Sequence, residues 1–181
     1  MQLYLVRHPR PKVAEGLCYG QTDLPLLEAV SPTVMALQGA LPADIPCYTS
    51  PLQRCRCLAE QLHPAPVVDD RLMEMNFGRW EMQPWDEISR SDLDAWAQDP
   101  LGFCPPGGES VQQLRQRVLA FLQDKREAPA LLLVTHGGVM KVLVGLAHDE
   151  APAVWQARRF DYGGLIQLSL DQTLLDSEFG D

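Results

Sequence analysis

The sequence predicts a three-layer α/β/α sandwich built on a mostly parallel central sheet. Short apolar runs suited to buried strands alternate with longer segments whose apolar residues recur at helical spacing. The two strongest strand signals are residues 3–6 and 131–135, and a histidine closely follows each of them. With 181 residues, 46% of them apolar, the chain is long enough to bury a sizeable core.

Polar residues follow both of these predicted strands. Residues 3–6 run into Arg7 and His8, and Pro9 then prevents further strand pairing. Residues 131–135 run into His136. Because open α/β sheets bind ligands at the carboxyl ends of their strands, we expect both histidines to face one site.

A loop is predicted after the first strand, because residues 12–26 have no clear period and contain glycine and proline. Within it, the small polar segment 19–23 could offer backbone N–H groups and the side chain of Gln21 or Thr22 to an anion. A plain turn is the simpler explanation of these residues taken alone.

Arg54 is predicted close to the start of a helix. Residues 27–41 favour a helix and residues 45–49 favour a strand, after which Pro51 suits the first turn of the next helix. Arg54 would then lie at a helix end that favours anions. The simpler alternative is a solvated side chain, as for most arginines in helices.

Glu74 stands in a segment rich in carboxylates and aromatic residues. It follows a short extended segment at 66–70 and lies between two methionines, where a carboxylic acid in apolar surroundings could donate a proton. A loop glutamate that points to water is the alternative. Residues 84–99 are predicted to form one or two short helices with Trp85 and Trp96 turned inward.

The second half of the chain is also predicted to alternate helices and strands. The break at 105–108 marks the edge of a subdomain, and Ser110 with Gln113 forms a capping-box pattern that opens a helix ending near residue 127. Gly137 and Gly138 allow a close turn past a ligand. The further elements expected are a helix at 139–146, a helix at 151–159, a strand at 165–170 and an acidic tail after residue 171.

Charge and cysteine content argue against several classes of partner. The formal net charge of −9 disfavours duplex nucleic acid and anionic membranes as general partners. No stretch resembles a membrane span or a signal peptide. The five cysteines lack C-x-x-C spacing, which indicates reduced thiols rather than a disulfide framework or a zinc site. We therefore expect a cytoplasmic protein without metal or other cofactor.

The predicted cations and histidines suit phosphoryl transfer. Arginine forks bind the oxygens of a phosphoryl group and hold its charge as it transfers. A neutral imidazole can attack phosphorus, and a carboxylic acid can protonate the departing oxygen. On the predicted sheet, one edge can collect Arg7, His8, Arg54 and His136, since all four lie at or just after strand ends.

Five motifs resemble the histidine phosphatase superfamily, in the branch related to cofactor-dependent phosphoglycerate mutase. In order, they are L-V-R-H at 5–8, S-P-L-Q-R at 50–54, M-E-M-N-F-G at 73–78, G-G-E-S at 107–110 and T-H-G-G at 135–138. A lone R-H means little, but the ordered set is highly specific. The resemblance implies a phosphoglycerate mutase-like fold, with a single histidine phosphatase domain over 1–181 and a small helical cap region at about 72–106.

The resemblance also implies a mechanism. His8 would be the nucleophile that forms a phosphohistidine, and Glu74 would be the acid for the leaving group and then the base that activates water. Arg7, Arg54 and His136 would line the phosphate pocket. The implied substrate contacts are Arg7, Gln21, Thr22, Arg54, His136 and Gly137, with Glu109 close by.

Within the family, F-G-R-W-E at 77–81 with Trp85 is most similar to the α-ribazole phosphatase branch of cobalamin synthesis. The expected function is therefore hydrolysis of a small-molecule phosphomonoester, with α-ribazole 5′-phosphate as the first candidate. Two alternatives stay open: a phosphoglycerate mutase-type phosphoryl transferase, and a non-catalytic phosphate-binding regulatory module. Pro9 favours the second alternative, because the family usually has glycine after its histidine. The sequence also leaves a homodimer open.

Overall fold

A five-stranded sheet forms the centre of the fold in this computed structural model, which describes residues 1–171. The strands are β1 (Gln2–Arg7), β2 (Cys47–Thr49), β3 (Val67–Val68), β4 (Ala130–Thr135) and β5 (Leu165–Ser169). Their order is β3-β2-β4-β1-β5, and only the edge strand β5 is antiparallel to its neighbour. The predicted acidic tail lies outside the described residues.

The described part of the chain contains six α-helices. They are α1 (Ser31–Leu37), α2 (Gln53–Leu62), α3 (Arg90–Gln98), α4 (Val111–Asp124), α5 (Gly137–Ala147) and α6 (Pro152–Ala157). Two short 3₁₀ turns lie at Asp70–Leu72 and Gly78–Trp80. Within residues 1–171, none of the helices combines the length and apolar character that crossing a membrane requires.

The side chains of the two central strands alternate between two apolar clusters. Leu3 and Leu5 pack with α4, α5 and α6 on one face of the sheet. Val6 and Val134 pack with α1 and α2 on the other face. Helices therefore cover both faces, and the predicted α/β/α sandwich with a mostly parallel sheet is confirmed.

The capping box at the start of α4 is also confirmed. The Ser110 hydroxyl accepts a hydrogen bond from the backbone N–H of Gln113 at 3.2 Å, and the Gln113 side chain accepts one from the Ser110 N–H at 2.7 Å. The helix ends at Asp124 rather than near residue 127.

Two predicted helix starts are wrong, each for a local reason. Pro51 lies before α2 rather than in its first turn, since the Ser50 N–H still bonds the Val134 carbonyl of β4 and the chain needs two more residues to turn. Helix α5 begins at Gly137, two residues earlier than predicted. Apolar periodicity cannot detect a helical turn made of glycines.

Candidate active site

His8 emerges directly from the carboxyl end of β1. Its N–H donates to the Thr135 carbonyl at 3.0 Å, and its ring Nδ1 lies 2.6 Å from the Pro9 carbonyl oxygen. A carbonyl oxygen can only accept, so Nδ1 carries the proton and Nε2 keeps its lone pair. The geometry thus leaves Nε2 as the nucleophilic atom of His8.

His136 and Arg54 lie beside His8. The centroids of the two imidazole rings are 5.0 Å apart, and the Arg54 Nε donates to His136 Nδ1 at 3.3 Å. The other ring nitrogen, Nε2, lies 2.8 Å from the Ser50 hydroxyl. Arg54 is 0% exposed, which rules out the solvated alternative. The carboxyl ends of β1 and β4 and the first turn of α2 therefore bring the three side chains together.

The loop at 19–23 supplies acceptors to Arg54. The two terminal nitrogens of Arg54 donate to the Thr22 carbonyl at 2.8 Å and the Gly20 carbonyl at 2.6 Å. The Gln21 side chain donates to the Glu74 carbonyl at 3.0 Å, and the Thr22 hydroxyl donates to the Glu81 carboxylate at 2.6 Å. Gln21 and Thr22, which were predicted to contact the substrate, are thus both bonded to neighbouring protein groups in this structure.

Glu74 lies against the first turn of α5. Its Oε1 accepts hydrogen bonds from the Gly138 N–H at 3.0 Å and the Met75 N–H at 2.9 Å. A Cβ at position 138 would overlap that carboxylate, and a Cβ at position 137 would lie 3.7 Å from the Arg7 Nε. Gly138 therefore lets Glu74 approach the start of the helix closely, whereas a side chain at position 137 would only be in ordinary contact with Arg7.

Arg7 is held by a carbonyl and an aromatic ring. Its Nη1 donates to the Phe160 carbonyl at 2.6 Å, and its guanidinium carbon lies 3.9 Å from the centre of the Tyr162 ring. Tyr162 also lies 5.5 Å from the His8 ring and bonds the Tyr19 hydroxyl at 2.9 Å. His8 is consequently only 1% exposed, with Tyr162 packed beside it.

Burial and positive neighbours keep both histidines of the site neutral. Burial, followed by the charge of Arg54, lowers the pKa of His8 to about 3, against the opposing hydrogen bond to Pro9. Burial and the neighbouring His8 and Arg54 lower the pKa of His136 well below its usual value. A neutral imidazole is the form that can attack phosphorus.

This neutrality predicts a pH-dependent stability. In the unfolded chain the two histidines bind protons near pH 6.5, whereas in the folded protein the pKa of His8 is about 3. The unfolded state therefore binds more protons between these values, and stability falls as the pH falls. We expect the free energy of unfolding, measured with urea, to drop by about 2 kcal/mol per buried histidine between pH 7 and pH 5.

The control for that experiment is a pair of glutamine variants. His136→Gln should lose about half of the pH dependence, because one of the two buried histidines is gone. The same change at the exposed His148 should leave the dependence intact. A pH dependence unaffected by His136→Gln would contradict the assignment.

Two supporting residues were missed by the sequence analysis. Arg117 donates to the carbonyls of Met73 at 2.8 Å and Glu74 at 2.9 Å, and it forms an ion pair of 2.6 Å with Glu109. Glu109, expected near the phosphate, is thus a partner of Arg117 here. Glu81 accepts from the Thr22 N–H at 2.7 Å, among other donors. Glu81 belongs to the F-G-R-W-E motif, which indicates no role for it, and Arg117 belongs to none of the motifs.

Replacing Glu81 is expected to loosen the loop that Arg54 depends on. Its carboxylate accepts hydrogen bonds from the backbone of Gln21 and Thr22, the Thr22 hydroxyl and the backbone of Phe77. Glu81→Ala would leave these donors unpaired, so we expect a loss of about 2–3 kcal/mol in the urea unfolding free energy. The exposed Glu87→Ala is the matched control. Equal stability of the two variants would contradict the role of Glu81.

A cleft of about 970 Å³ opens beside Arg7 and Glu74. Part of its lining is aromatic, from Phe77, Trp85 and Trp96, and part is basic. Trp85 and Trp96 stack with ring centroids 6.0 Å apart and belong to a small apolar cluster, so they serve packing as well as the cleft. In the described part of the chain, no three acidic, histidine or cysteine side chains group as metal ligands.

Comparison with family models finds a match to the histidine phosphatase superfamily (branch 1) over residues 3–176. A relative in Hydrogenobacter thermophilus, provisionally named phosphoserine phosphatase 2, is 30% identical over 80% of this chain and 77% of its own length. The adenosylcobalamin/alpha-ribazole phosphatase of Salmonella typhimurium is 30% identical over 87% of this chain and 85% of its own.

Solved structures show the same fold. The phosphoglycerate mutase of Thermus thermophilus superposes with a TM-score of 0.74 at 31% identity, covering 94% of this chain and all of that one. A second Thermus thermophilus protein, TTHB049, has a TM-score of 0.75 at 32% identity over 92% of both chains. The similarity thus extends over nearly the whole chain.

Proposed function

Because the chain belongs to the histidine phosphatase superfamily, we propose that it hydrolyses phosphomonoesters through a phosphohistidine on His8. One observation carries the proposal: the Pro9 carbonyl fixes the proton on Nδ1 of a neutral His8, beside the guanidinium of Arg54. This arrangement supplies a nucleophile and a charge partner without a metal ion.

The first chemical step transfers the phosphoryl group to the protein. Nε2 of His8 attacks phosphorus, the P–O bond to the alcohol breaks, and Glu74 gives its proton to the leaving oxygen. Arg7 and Arg54 bind the phosphoryl oxygens as their charge grows, together with the backbone N–H of Gly137. His136 joins them when its Nε2 turns from the Ser50 hydroxyl to the phosphoryl group. The N-terminal end of α5 adds a favourable dipole.

The second step returns the protein to its starting state. Glu74, now a carboxylate, removes a proton from water as the water oxygen attacks phosphorus. The P–N bond breaks, phosphate is released, and Glu74 is again protonated. Gln21 and Thr22 would contact the phosphoryl group only after leaving their present partners, Glu74 and Glu81.

For the substrate, we propose α-ribazole 5′-phosphate as the first candidate. The name of the Salmonella typhimurium relative supports it. So does the aromatic part of the cleft, where Phe77, Trp85 and Trp96 could stack on a base. These three residues belong to the region at about 72–106, which we propose acts as a cap over the cleft.

Mutase activity is the second candidate, supported by the Thermus thermophilus phosphoglycerate mutase neighbour. A mutase returns the phosphoryl group to an alcohol rather than to water. The regulatory-module alternative loses its main support, because Pro9 contributes its carbonyl to His8. The homodimer and the cytoplasmic location stay predictions.

The test is turnover in the presence of EDTA. We expect phosphate release from 4-nitrophenyl phosphate, and from at least one member of a panel of α-ribazole 5′-phosphate, phosphoserine and 3-phosphoglycerate. Formation of 2-phosphoglycerate faster than phosphate would instead establish a mutase. Failure of every ester in EDTA, with recovery on adding a divalent metal, would overturn the proposed mechanism.

A further inference from the structure

The basic part of the cleft holds more positive charge than one phosphoryl group needs. Five cations line it, in a protein whose formal net charge is −9: Arg7, Arg10, Lys141, Arg158 and Arg159. Arg158 is already paired with Glu150. Arg7 is accounted for by the phosphate pocket. The other three cations take no part in the proposed steps and still face the same space.

Lys141 is the most buried of these three cations, since Arg10 and Arg159 are exposed. It lies one turn beyond Gly137 and Gly138 on α5, and is half-buried. Within residues 1–171, its ammonium has no hydrogen bond and no carboxylate within ion-pair distance. Burial lowers its pKa, and the charges of Arg7 and Arg159 add to this against the opposing Glu74.

A half-buried ammonium among other cations is costly unless an anion joins it. Arg159 lines the same cleft and is close enough to influence Lys141 electrostatically. Glu74 and Asp161 are the carboxylates of the cleft lining, and Glu74 is engaged by the backbone N–H groups of Met75 and Gly138. A negatively charged group of the substrate would supply the missing partner.

We propose that Lys141, with Arg159 beside it, binds a second anionic group carried by the alcohol part of the substrate. The substrate class is a phosphomonoester with a carboxylate or a second phosphate in addition to the group that is hydrolysed. The inference rests on the proposed hydrolase function and adds an order of preference among substrates. Esters with a second negative charge therefore rank above esters of uncharged alcohols. This order places α-ribazole 5′-phosphate, the first candidate by the aromatic lining and the name of a relative, below them.

The test compares two esters of nearly equal shape, 3-carboxyphenyl phosphate and 3-carbamoylphenyl phosphate. Wild type is expected to prefer the carboxylate by about tenfold in kcat/KM, the gain typical of one charge-assisted hydrogen bond. Lys141→Met should bring this ratio close to one, whereas Lys141→Arg should keep most of it. Lys12→Met, which changes an exposed lysine outside the cleft, should leave the ratio as in wild type.

Calorimetry on His8→Ala separates this inference from the proposed function. If wild type hydrolyses neither these two esters nor any ester of the panel above, the hydrolase proposal fails, and the binding ratio of the two esters to His8→Ala still tests Lys141. The inference is supported if the carboxylate ester is preferred and Lys141→Met removes that preference. Equal kcat/KM for the two esters in wild type, or equal binding of the two esters to His8→Ala, overturns it, as does a preference that survives Lys141→Met.

Discussion

His8→Ala is expected to lower kcat/KM for 4-nitrophenyl phosphate by about 10⁴-fold or more, the cost of removing a covalent nucleophile. No other group of the site can take its place. The second imidazole, His136, has one nitrogen bonded to Arg54 and the other to Ser50, and the Cys55 thiol beside it is fully buried with a raised pKa. A thiol held protonated is a poor nucleophile.

The same experiment should identify the intermediate. Wild type quenched during turnover of ³²P-labelled substrate should carry label that is stable in alkali and lost in acid, as expected of a phosphorus–nitrogen bond. His8→Ala should carry none, while the exposed His148→Ala should be labelled like wild type. Turnover by His8→Ala within tenfold of wild type, or alkali-stable label in that variant, would contradict the role of His8.

Local sequence patterns predicted many of the strands and helices around His8. Strand runs that stop at a polar residue indicate where a sheet edge lies, so the meeting of His8 and His136 could be expected from β1 and β4 alone. Ser110 and Gln113 are three residues apart and form their capping box without help from the rest of the fold. Each strand end and the capping box depend on neighbours in the sequence, and the general rule for α/β sheets places the two strand ends at one edge.

Long-range contacts could not be predicted in the same way. Arg54 was expected at a helix start, but its complete burial depends on carbonyls of Gly20 and Thr22, more than 30 residues earlier. Glu81 and Arg117 organise backbone groups that have no sequence relation to them. A charged side chain looks the same in the sequence whether it points to water or supports a loop.

The contribution of Pro9 to the site comes from its carbonyl group. Pro9 stands where the family usually has glycine, and this difference favoured a site that binds phosphate without turnover. In the structure the relevant group is the Pro9 carbonyl, which every residue type has, and it accepts the Nδ1 proton of His8. The proline is therefore compatible with a nucleophilic histidine.

Glu74→Gln is expected to separate the two chemical steps. For an alkyl phosphate, whose leaving oxygen needs a proton, kcat/KM should fall by about 10³-fold, within the range of general acid catalysis. For 4-nitrophenyl phosphate the fall should be about tenfold or less, because that leaving group departs as a stable anion. The glutamine keeps an oxygen for the N–H groups of Met75 and Gly138, so the variant should fold normally.

The variant should also stall after the first step. Without a carboxylate to activate water, the phosphohistidine should accumulate, and 4-nitrophenol should appear as a burst of about one equivalent before a slow steady phase. Glu109→Gln, at the carboxylate paired with Arg117, should show neither a burst nor a dependence on the leaving group. Equal losses for the alkyl and aryl esters in Glu74→Gln would mean that Glu74 positions the substrate and transfers no proton.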